Sequence, residues 1–189
     1  SGAALVIGGT GGIGSEICKL LATRGSHVAF TYRNNLQKAE SLSTEIEHLG
    51  ARSLKKSLDL GNQGEVENFI QELNDDGGIH TLVYAAGPVV PQVHLSNISP
   101  QTFSEHLNLE VSAFFGVAIA ALPCIRQQKG AIIAVTSAAT DKYPVKDGLS
   151  ASPKAAIEIL IKGLAKEEGR YGVRANAVGP GMLRDGMAA

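Results

Sequence analysis

The sequence is poor in cysteine, in aromatic residues and in net charge. Its two cysteines, Cys18 and Cys124, are too few for a disulfide framework. Both lie in apolar helical patterns, which indicates buried free thiols in a reducing, cytoplasmic compartment. With 5% aromatic residues and no tryptophan, few side chains are available for stacking on nucleic-acid bases. A net charge of −1 gives no electrostatic reason to expect a nucleic acid or an acidic membrane surface as a partner.

Long apolar runs, a leader segment and metal-ligand spacings are not found either. No apolar run is expected to reach the roughly 20 residues that a membrane-spanning helix needs. The first predicted strand begins at Ala3, so we expect no targeting segment before it. The histidines lack a second ligand at a metal-binding spacing, so we predict no metal site.

What the sequence does contain is a regular alternation of short apolar runs and helical patterns. Its 189 residues, 44% of them hydrophobic, fit one domain covering residues 1–189. Near-continuous apolar strands separated by helices predict a Rossmann-type, doubly wound parallel sheet in a three-layer α/β/α fold. We predict strands at 3–8, 27–32, 51–59, 80–87, 130–137 and 172–178. We predict helices at 12–24, 36–49, 65–73, 100–122 after a Ser99 cap, and around Lys154. In such a sheet, ligands bind beyond the carboxyl ends of the strands.

A glycine-rich stretch, GGTGGIG, joins the first strand to the first helix. Gly9 to Gly14 fits the dinucleotide spacing G-x-G-x-x-G, and Gly8, Gly12 and Gly14 also fit G-x-x-x-G-x-G. Glycine lets the backbone approach a pyrophosphate, and the helix N-terminus supplies free N–H groups and partial positive charge. The stretch therefore predicts a dinucleotide-binding loop.

The end of the second strand bears on the choice of cofactor. An acidic residue there would bind the ribose hydroxyl of NAD, whereas an arginine would accept the extra phosphate of NADP. The sequence has Tyr32 and then Arg33, with no carboxylate nearby. Because a guanidinium pairs well with phosphate, we predict NADP(H) in preference to NAD(H).

Taken together, these motifs resemble the short-chain dehydrogenase/reductase family from residue 3 to the last residue. The shared features are the glycine loop, Asp59 after the third strand, a small-residue turn after the fourth, VTS on the fifth, a lysine on the next helix, and a final GPG. The closest general likeness is to 3-oxoacyl-carrier-protein reductases. The resemblance implies an oxidoreductase that acts on a carbonyl or hydroxyl group of a small molecule. It implies a cofactor site at Gly8, Thr10, Gly12, Ile13, Gly14, Arg33, Asp59, Leu60, Ala85, Ala86, Gly87, Lys154, Pro180 and Gly181.

The catalytic tetrad of this family is serine, tyrosine, lysine and asparagine, and the sequence matches only part of it. Ser137 and Lys154 occupy the serine and lysine positions. The tyrosine should lie four residues before the lysine and thirteen after the serine, and both counts reach Ser150. Glu110 falls where the asparagine belongs. We therefore take Ser137, Lys154, Ser150 and Glu110 as the candidate catalytic residues.

Several roles for these residues stay open at this point. Ser150 is either part of an altered site or only a helix cap, with Pro153 in the first helical turn. Glu110 and Lys154 are expected to form an ion pair that is either functional or purely structural. Tyr143 is a possible substitute proton donor, although a loop tyrosine that covers apolar surface is the simpler interpretation.

At the level of the whole protein, the sequence is compatible with three functions. The first is an NADP(H)-dependent reductase, the second a catalytically silent NADP(H)-binding sensor or scaffold, and the third a non-redox enzyme that uses Glu110. Two long apolar helices favour a homodimer or homotetramer. The family usually continues with a substrate-covering segment and a seventh strand after GPG, so the resemblance implies that the sequence is incomplete there. Asp185 takes the place of a family threonine that holds the carboxamide.

Overall fold

A computed structural model describes residues 2–181 of the chain, and in it six strands form one parallel sheet. The strand order is β3-β2-β1-β4-β5-β6, with every neighbouring pair parallel. The strands are β1 Ala3–Ile7, β2 His27–Tyr32, β3 Ser53–Ser57, β4 Ile79–Tyr84, β5 Ala131–Val135 and β6 Arg174–Val178. The chain order reverses between β1 and β4, so the crevice for ligands lies at the carboxyl ends of these two strands. The predicted doubly wound sheet is confirmed.

Helices cover both faces of the sheet. They are α1 Gly12–Thr23, α2 Leu36–His48, α3 Gln63–Asp75, α4 Pro100–Leu107, α5 Ala113–Gln127 and α6 Gly148–Glu168. Apolar residues of α1 and α2 pack on one face in a cluster with Val6, Val28 and Phe30. Residues of α3, α5 and α6 pack on the other face in a larger cluster. The result is the predicted three-layer arrangement, with short 3-10 turns at Leu95–Asn97, Ala138–Thr140 and Gly169–Tyr171.

Three of the helices begin at polar caps. The side chains of Asn35, Asn62 and Ser99 accept hydrogen bonds from backbone N–H groups in the first turns of α2, α3 and α4. At α4 the bond from Thr102 N to Ser99 Oγ is 3.0 Å long, as the serine followed by proline predicts. Such caps satisfy N–H groups that would otherwise have no partner inside the helix.

The segment predicted as one regular helix from 100 to 122 is longer and less regular. A π-helical turn, Asn108–Ser112, joins α4 to α5, so the helical run extends from Pro100 to Gln127. By length and composition this run could cross a membrane, which corrects the expectation that no apolar segment reaches that length. Half of its most apolar window is buried within the fold, and the core helix of a globular protein passes the same test.

The start of α6 differs from the prediction in two respects. Asp147 precedes the helix, and Ser150 is its third residue, so the alternative that Ser150 caps the helix is wrong. Pro153 is the sixth residue and lies in the second turn, where it cannot donate to the carbonyl of Leu149. The helix starts early because the chain turns at Lys146, which has a left-handed φ of 73°.

Candidate functional site

The glycine loop leaves β1 through a turn that a side chain would obstruct. Gly8 has a φ of 82°, and a Cβ atom there would lie 2.8 Å from Ala86 Cα. Thr31 of β2 fixes the loop, because its Oγ1 accepts from Gly8 N at 3.1 Å and its carbonyl accepts from Gly9 N at 2.9 Å. The glycines here are therefore required by close backbone packing. Sequence reasoning did not single out Thr31, since a threonine inside a strand is common.

The loop leads directly into the N-terminus of α1, which has no cap. Gly11 stands at the cap position and offers no side chain, and the first turn holds no acidic residue. The N–H groups of Gly12, Ile13 and Gly14 are too early in the helix to have carbonyl partners within it. With the helix dipole behind them, these groups form a cradle of the kind that binds phosphate.

The turn after β4 lies against this loop. Ala85 N donates to Ile7 O at 2.9 Å, which extends the pairing of β1 and β4 to the start of the turn. Ala86 packs against Gly8 so closely that a Cβ atom added to Gly8 would lie 2.8 Å from Ala86 Cα. Small residues at 85–87 thus keep the crevice between β1 and β4 open beside the cradle.

The same turn contacts a buried ion pair. Lys154 Nζ lies 2.8 Å from Glu110 Oε2, with the lysine side chain 13% exposed and the glutamate side chain 1% exposed. The two charges are in contact, but Glu110 Oε2 has no partner with the angles of a hydrogen bond. A Cβ atom on Gly87 would lie 3.5 Å from Nζ and 4.0 Å from Oε2, so the pair faces the end of β4. The ion pair predicted from the sequence is present.

Glu110 owes its position to the π turn. The turn makes residue 110 the buried member of 108–112, whereas Asn108 is exposed and accepts a hydrogen bond from Ser112. π turns of this kind occur frequently at functional sites. Glu110, and not Asn108, therefore faces Lys154.

Tyr84 is the last residue of β4, and the charge of Glu110 affects the pKa of its hydroxyl. Its ring is 1% exposed and packs edge-on against Phe114 with the centroids 5.3 Å apart. Burial raises the pKa of the Tyr84 hydroxyl above its ordinary value, and the negative charge of Glu110 raises it further. Tyr84 is thus held as a neutral phenol.

Ser150 lies one helical turn before Lys154 but is not bonded to it. Its hydroxyl has no hydrogen-bond partner among residues 2–181, and the residue is half-buried. Tyr143, the other candidate, is 48% exposed, and its hydroxyl lies 3.4 Å from where a Cβ atom of Gly148 would be. The tyrosine therefore covers the first turn of α6, as the simpler interpretation of a loop tyrosine predicts.

Ser137 follows β5 and is adjacent to the segment after β6. Its Oγ accepts from Ala139 N at 3.1 Å, and the next residue, Ala138, donates from its N–H to Pro180 O at 3.0 Å. Gly181 is the last described residue and is exposed. The Asp185 substitution lies outside the described residues.

The remaining cofactor candidates lie beyond β2 and β3. Arg33 is exposed, and its guanidinium makes no ion pair with another described residue, while its carbonyl accepts from Ser57 Oγ at 3.0 Å. Asp59 is exposed and uses Oδ1 to accept from Gly61 N at 3.0 Å, which shapes the turn that Leu60 shares. The fold therefore brings the candidates together as two groups, the cradle and the ion pair, linked by residues 85–87. Within residues 2–181, the hydroxyls of Ser137 and Ser150 form no hydrogen bond with either charge of the pair.

Comparison with known proteins shows the family to which the chain belongs. The family model described as short chain dehydrogenase matches residues 2–189. The chain belongs to the short-chain dehydrogenase family. It is 32% identical to the hydroxynaphthalene reductase of Aspergillus fumigatus, an alignment that covers 97% of this chain and 67% of that protein. It is 30% identical to the 3-oxoacyl-acyl-carrier-protein reductase FabG of Staphylococcus epidermidis, covering 97% of this chain and 76% of the relative.

A solved structure of the same family supports the fold. The short chain dehydrogenase of Burkholderia cenocepacia in complex with NADP is 31% identical and superposes with a TM-score of 0.88. The superposition covers 95% of this chain and 74% of that one. The Rossmann-type fold and the assignment to an oxidoreductase family thus follow from sequence and structure together.

Proposed function

We propose that the protein is an NADP(H)-dependent oxidoreductase that interconverts a carbonyl and a hydroxyl group on a small molecule. The observation that carries the proposal is the uncapped N-terminus of α1, which opens at the carboxyl ends of β1 and β4 with Arg33 beyond β2. A nicotinamide dinucleotide bound there supplies or accepts a hydride.

The cradle fits a pyrophosphate because its donors are unused. The neighbouring helices α2, α3 and α4 use Asn35, Asn62 and Ser99 to satisfy their first N–H groups, and α1 has no such residue. Leaving these donors free costs stability unless an anion or water binds them. A bound diphosphate would accept from the N–H groups of residues 12–14, and Thr31 would hold the loop in position from behind.

Arg33 supports NADP(H) as the form of the dinucleotide. It is exposed at the carboxyl end of β2, where the adenine ribose lies in dinucleotide-binding folds, and its guanidinium is not engaged by a described carboxylate. The planar fork of arginine pairs with a phosphate through two parallel hydrogen bonds. The Burkholderia relative described above was solved with NADP.

On the substrate side, two residues take the roles that the family resemblance implies. Ser137 orients the substrate oxygen, and Lys154 holds the hydroxyls of the nicotinamide ribose. Nζ of Lys154 is held in place for this role by Glu110, which lies 2.8 Å away. Its three N–H bonds leave donors for a ribose after the contact with the glutamate.

A second candidate function is a catalytically silent NADP(H)-binding sensor or scaffold, favoured by one observation. Ser150 occupies the position one turn before Lys154, and its aliphatic hydroxyl is both shorter and far less acidic than a phenol. Losing a positioned general acid costs about 10²- to 10⁴-fold in rate, so a slow reductase remains compatible with this substitution.

Nucleotide binding is the first experiment. Titration of the purified protein with NADPH and NADH, followed by nicotinamide fluorescence, should show tighter binding of NADPH. Arg33→Ala should weaken NADPH binding by about tenfold to a hundredfold, the loss expected for a charge-assisted hydrogen bond, and leave NADH unchanged. Arg24→Ala, an exposed arginine at the opposite end of α1, is the matched control. Saturation by neither nucleotide would refute the proposal.

Turnover then separates the two candidate functions. The protein is mixed with NADPH and a panel of short ketones and 3-oxoacyl thioesters, and the nicotinamide absorbance is followed. Oxidation of NADPH that depends on a ketone identifies the reductase. Tight binding without turnover on any member of the panel identifies the silent homologue.

A further inference from the structure

We propose that the ammonium group of Lys154 is itself the proton donor in this protein, in place of the phenol that the sequence lacks at position 150. The inference rests on the proposed reductase function and assigns a different role to a residue of the same site. It follows from the acidity of the ammonium, from its place beside the end of β4, and from the unsuitability of the other proton-bearing groups nearby.

Acidity is the first argument. A lysine ammonium has an ordinary pKa of about 10.4 and a tyrosine phenol one of about 10, so the two are acids of nearly equal strength. Either can protonate the strongly basic alkoxide that forms when a carbonyl carbon gains a hydride. An aliphatic hydroxyl such as that of Ser150 has a much weaker acidity and cannot do so.

Position is the second argument. Nζ of Lys154 is largely buried and lies at the end of β4, where a Cβ atom on Gly87 would approach it to 3.5 Å. Residues 85–87 also contact the glycine loop, so the ammonium lies where the dinucleotide cradle meets the substrate side. Because Ser150 is short, no side chain one turn earlier on α6 stands between Nζ and a bound substrate in the way a tyrosine ring would. The serine hydroxyl forms no bond to Nζ.

Tyr84 and Tyr143, the two tyrosines described above, are unsuited to the role. Tyr84 is 1% exposed and packs edge-on against Phe114, so its hydroxyl is shielded from a bound substrate. Tyr143 places its hydroxyl beside Gly148, six residues before Lys154, which is about 9 Å along the helix axis. Neither phenol is in contact with the ion pair through a hydrogen bond within residues 2–181.

Two further titratable groups are no better placed. Asp147 precedes α6 by one residue, two helical turns from Lys154, and burial raises the pKa of its carboxyl group. His106 on α4 has a buried Nδ1 without a hydrogen-bond partner in the described part of the chain, so it is not linked to the pair. Lys154 is therefore the donor that the geometry favours.

The proposed step is a hydride addition to a carbonyl group coupled to a proton transfer from Lys154. The carbonyl carbon gains a hydride and forms a C–H bond, and the electron pair of the C=O π bond moves to oxygen. The oxygen takes a proton from Nζ, an N–H bond of Lys154 breaks, and a neutral amine remains. The hydride and its two electrons would come from a bound reduced nicotinamide, and solvent water returns a proton to the amine. Glu110 is a positioning residue, because its carboxylate holds Nζ at 2.8 Å.

Arginine substitution tests the donor. Lys154→Arg keeps a positive charge next to Glu110, but a guanidinium has a much higher pKa than an ammonium, so it does not release a proton. We expect ketone-dependent turnover to fall by about 10²- to 10⁴-fold, while NADPH affinity, measured by fluorescence titration, changes little. Lys162→Arg, an exposed lysine two turns further along α6, is the matched control and should leave turnover unchanged. Wild-type turnover by Lys154→Arg would overturn the inference and leave the reductase proposal intact.

Rescue with added amines distinguishes proton donation from ribose binding. Turnover by Lys154→Ala should be restored in part by primary ammonium ions, and the restored rate should rise with the acidity of the ammonium ion supplied. A residue that only holds a ribose or fills space gives either no rescue or the same rescue with every amine, and that result overturns the inference. If wild-type protein reduces no ketone, both this inference and the reductase proposal fall.

Discussion

Replacing either partner of the Glu110–Lys154 pair should destabilise the protein, and the two replacements should be unequal. Lys154→Met removes the ammonium and leaves a carboxylate that is 1% exposed. Glu110→Gln removes the carboxylate and leaves an ammonium at the end of a long, flexible side chain that is 13% exposed. Because lysine can extend its charge towards solvent, we expect the lysine replacement to cost more.

The magnitude follows from the separation of the two charges. At 2.8 Å and an effective dielectric constant of 20, the attraction between Nζ and Oε2 is about 6 kcal/mol. Removing each ion from water costs several kcal/mol, so the net contribution of the pair is small. A single replacement forfeits the attraction but keeps the desolvation cost of the remaining ion. We therefore expect Lys154→Met to lower the free energy of unfolding by about 3–5 kcal/mol. Glu110→Gln should lower it by less, and the double variant should cost less than the sum of the two.

Urea unfolding at pH 7, followed by far-UV circular dichroism, measures these differences. The control is Glu72→Gln, which breaks an exposed pair with Lys56 at 3.0 Å and should cost at most about 1 kcal/mol. Additive effects of the two single replacements, or a cost for Lys154→Met no larger than the control, would refute the reasoning.

Three further predictions concern packing, titration and assembly. Gly9→Ala should cost about 1–3 kcal/mol in urea unfolding, since its Cβ would lie 2.6 Å from buried Phe30 Cβ, whereas Gly11→Ala meets its nearest atom at 3.3 Å and should cost less. Burial raises the pKa of Cys18 from 9.0 to about 12. The stability from the neutral thiol is thus complete below pH 9 and lost between about pH 9 and 12, and Cys18→Ala should flatten that decline in urea midpoints; an unchanged pH profile would contradict the assignment. Ile159 is 63% exposed on α6. If it lies in a homo-oligomer interface, Ile159→Glu should lower the molecular mass measured by light scattering. A monomeric wild-type protein would refute the predicted assembly.

The sheet was predictable because strands of a parallel sheet can be recognised from their composition alone. β1 and β5 are continuous apolar runs bounded by glycine or polar residues, and a strand buried on both faces has that composition wherever it occurs. The glycine loop was predictable for a similar reason, since its spacing encodes backbone conformation directly. The Glu110–Lys154 pair followed from matching two positions of a family pattern.

The details around the pair were not predictable from local sequence. The π turn at Asn108–Ser112 inserts one residue into the helix without proline or any other marker, because it depends on what Glu110 faces across the fold. The early start of α6 at Gly148 follows from the left-handed turn at Lys146. A left-handed backbone conformation is not expected at a lysine, so the sequence did not predict this turn. Ser150 and Pro153 were consequently placed one turn too close to the N-terminus of the helix.

The π turn has a consequence for how this chain tolerates insertions and deletions. A regular α-helix advances by about 100° per residue, so the extra residue in 108–112 offsets the faces of α4 and α5 by about that angle. Deleting a single residue within this turn would restore an ordinary helix and rotate one half against the other. Phe114 would then leave the sheet, or Glu110 would leave the lysine. The packing of α5 in the core and the Glu110–Lys154 contact therefore both depend on the number of residues in this turn. Deleting one residue there should destabilise the protein far more than deleting one in an exposed loop.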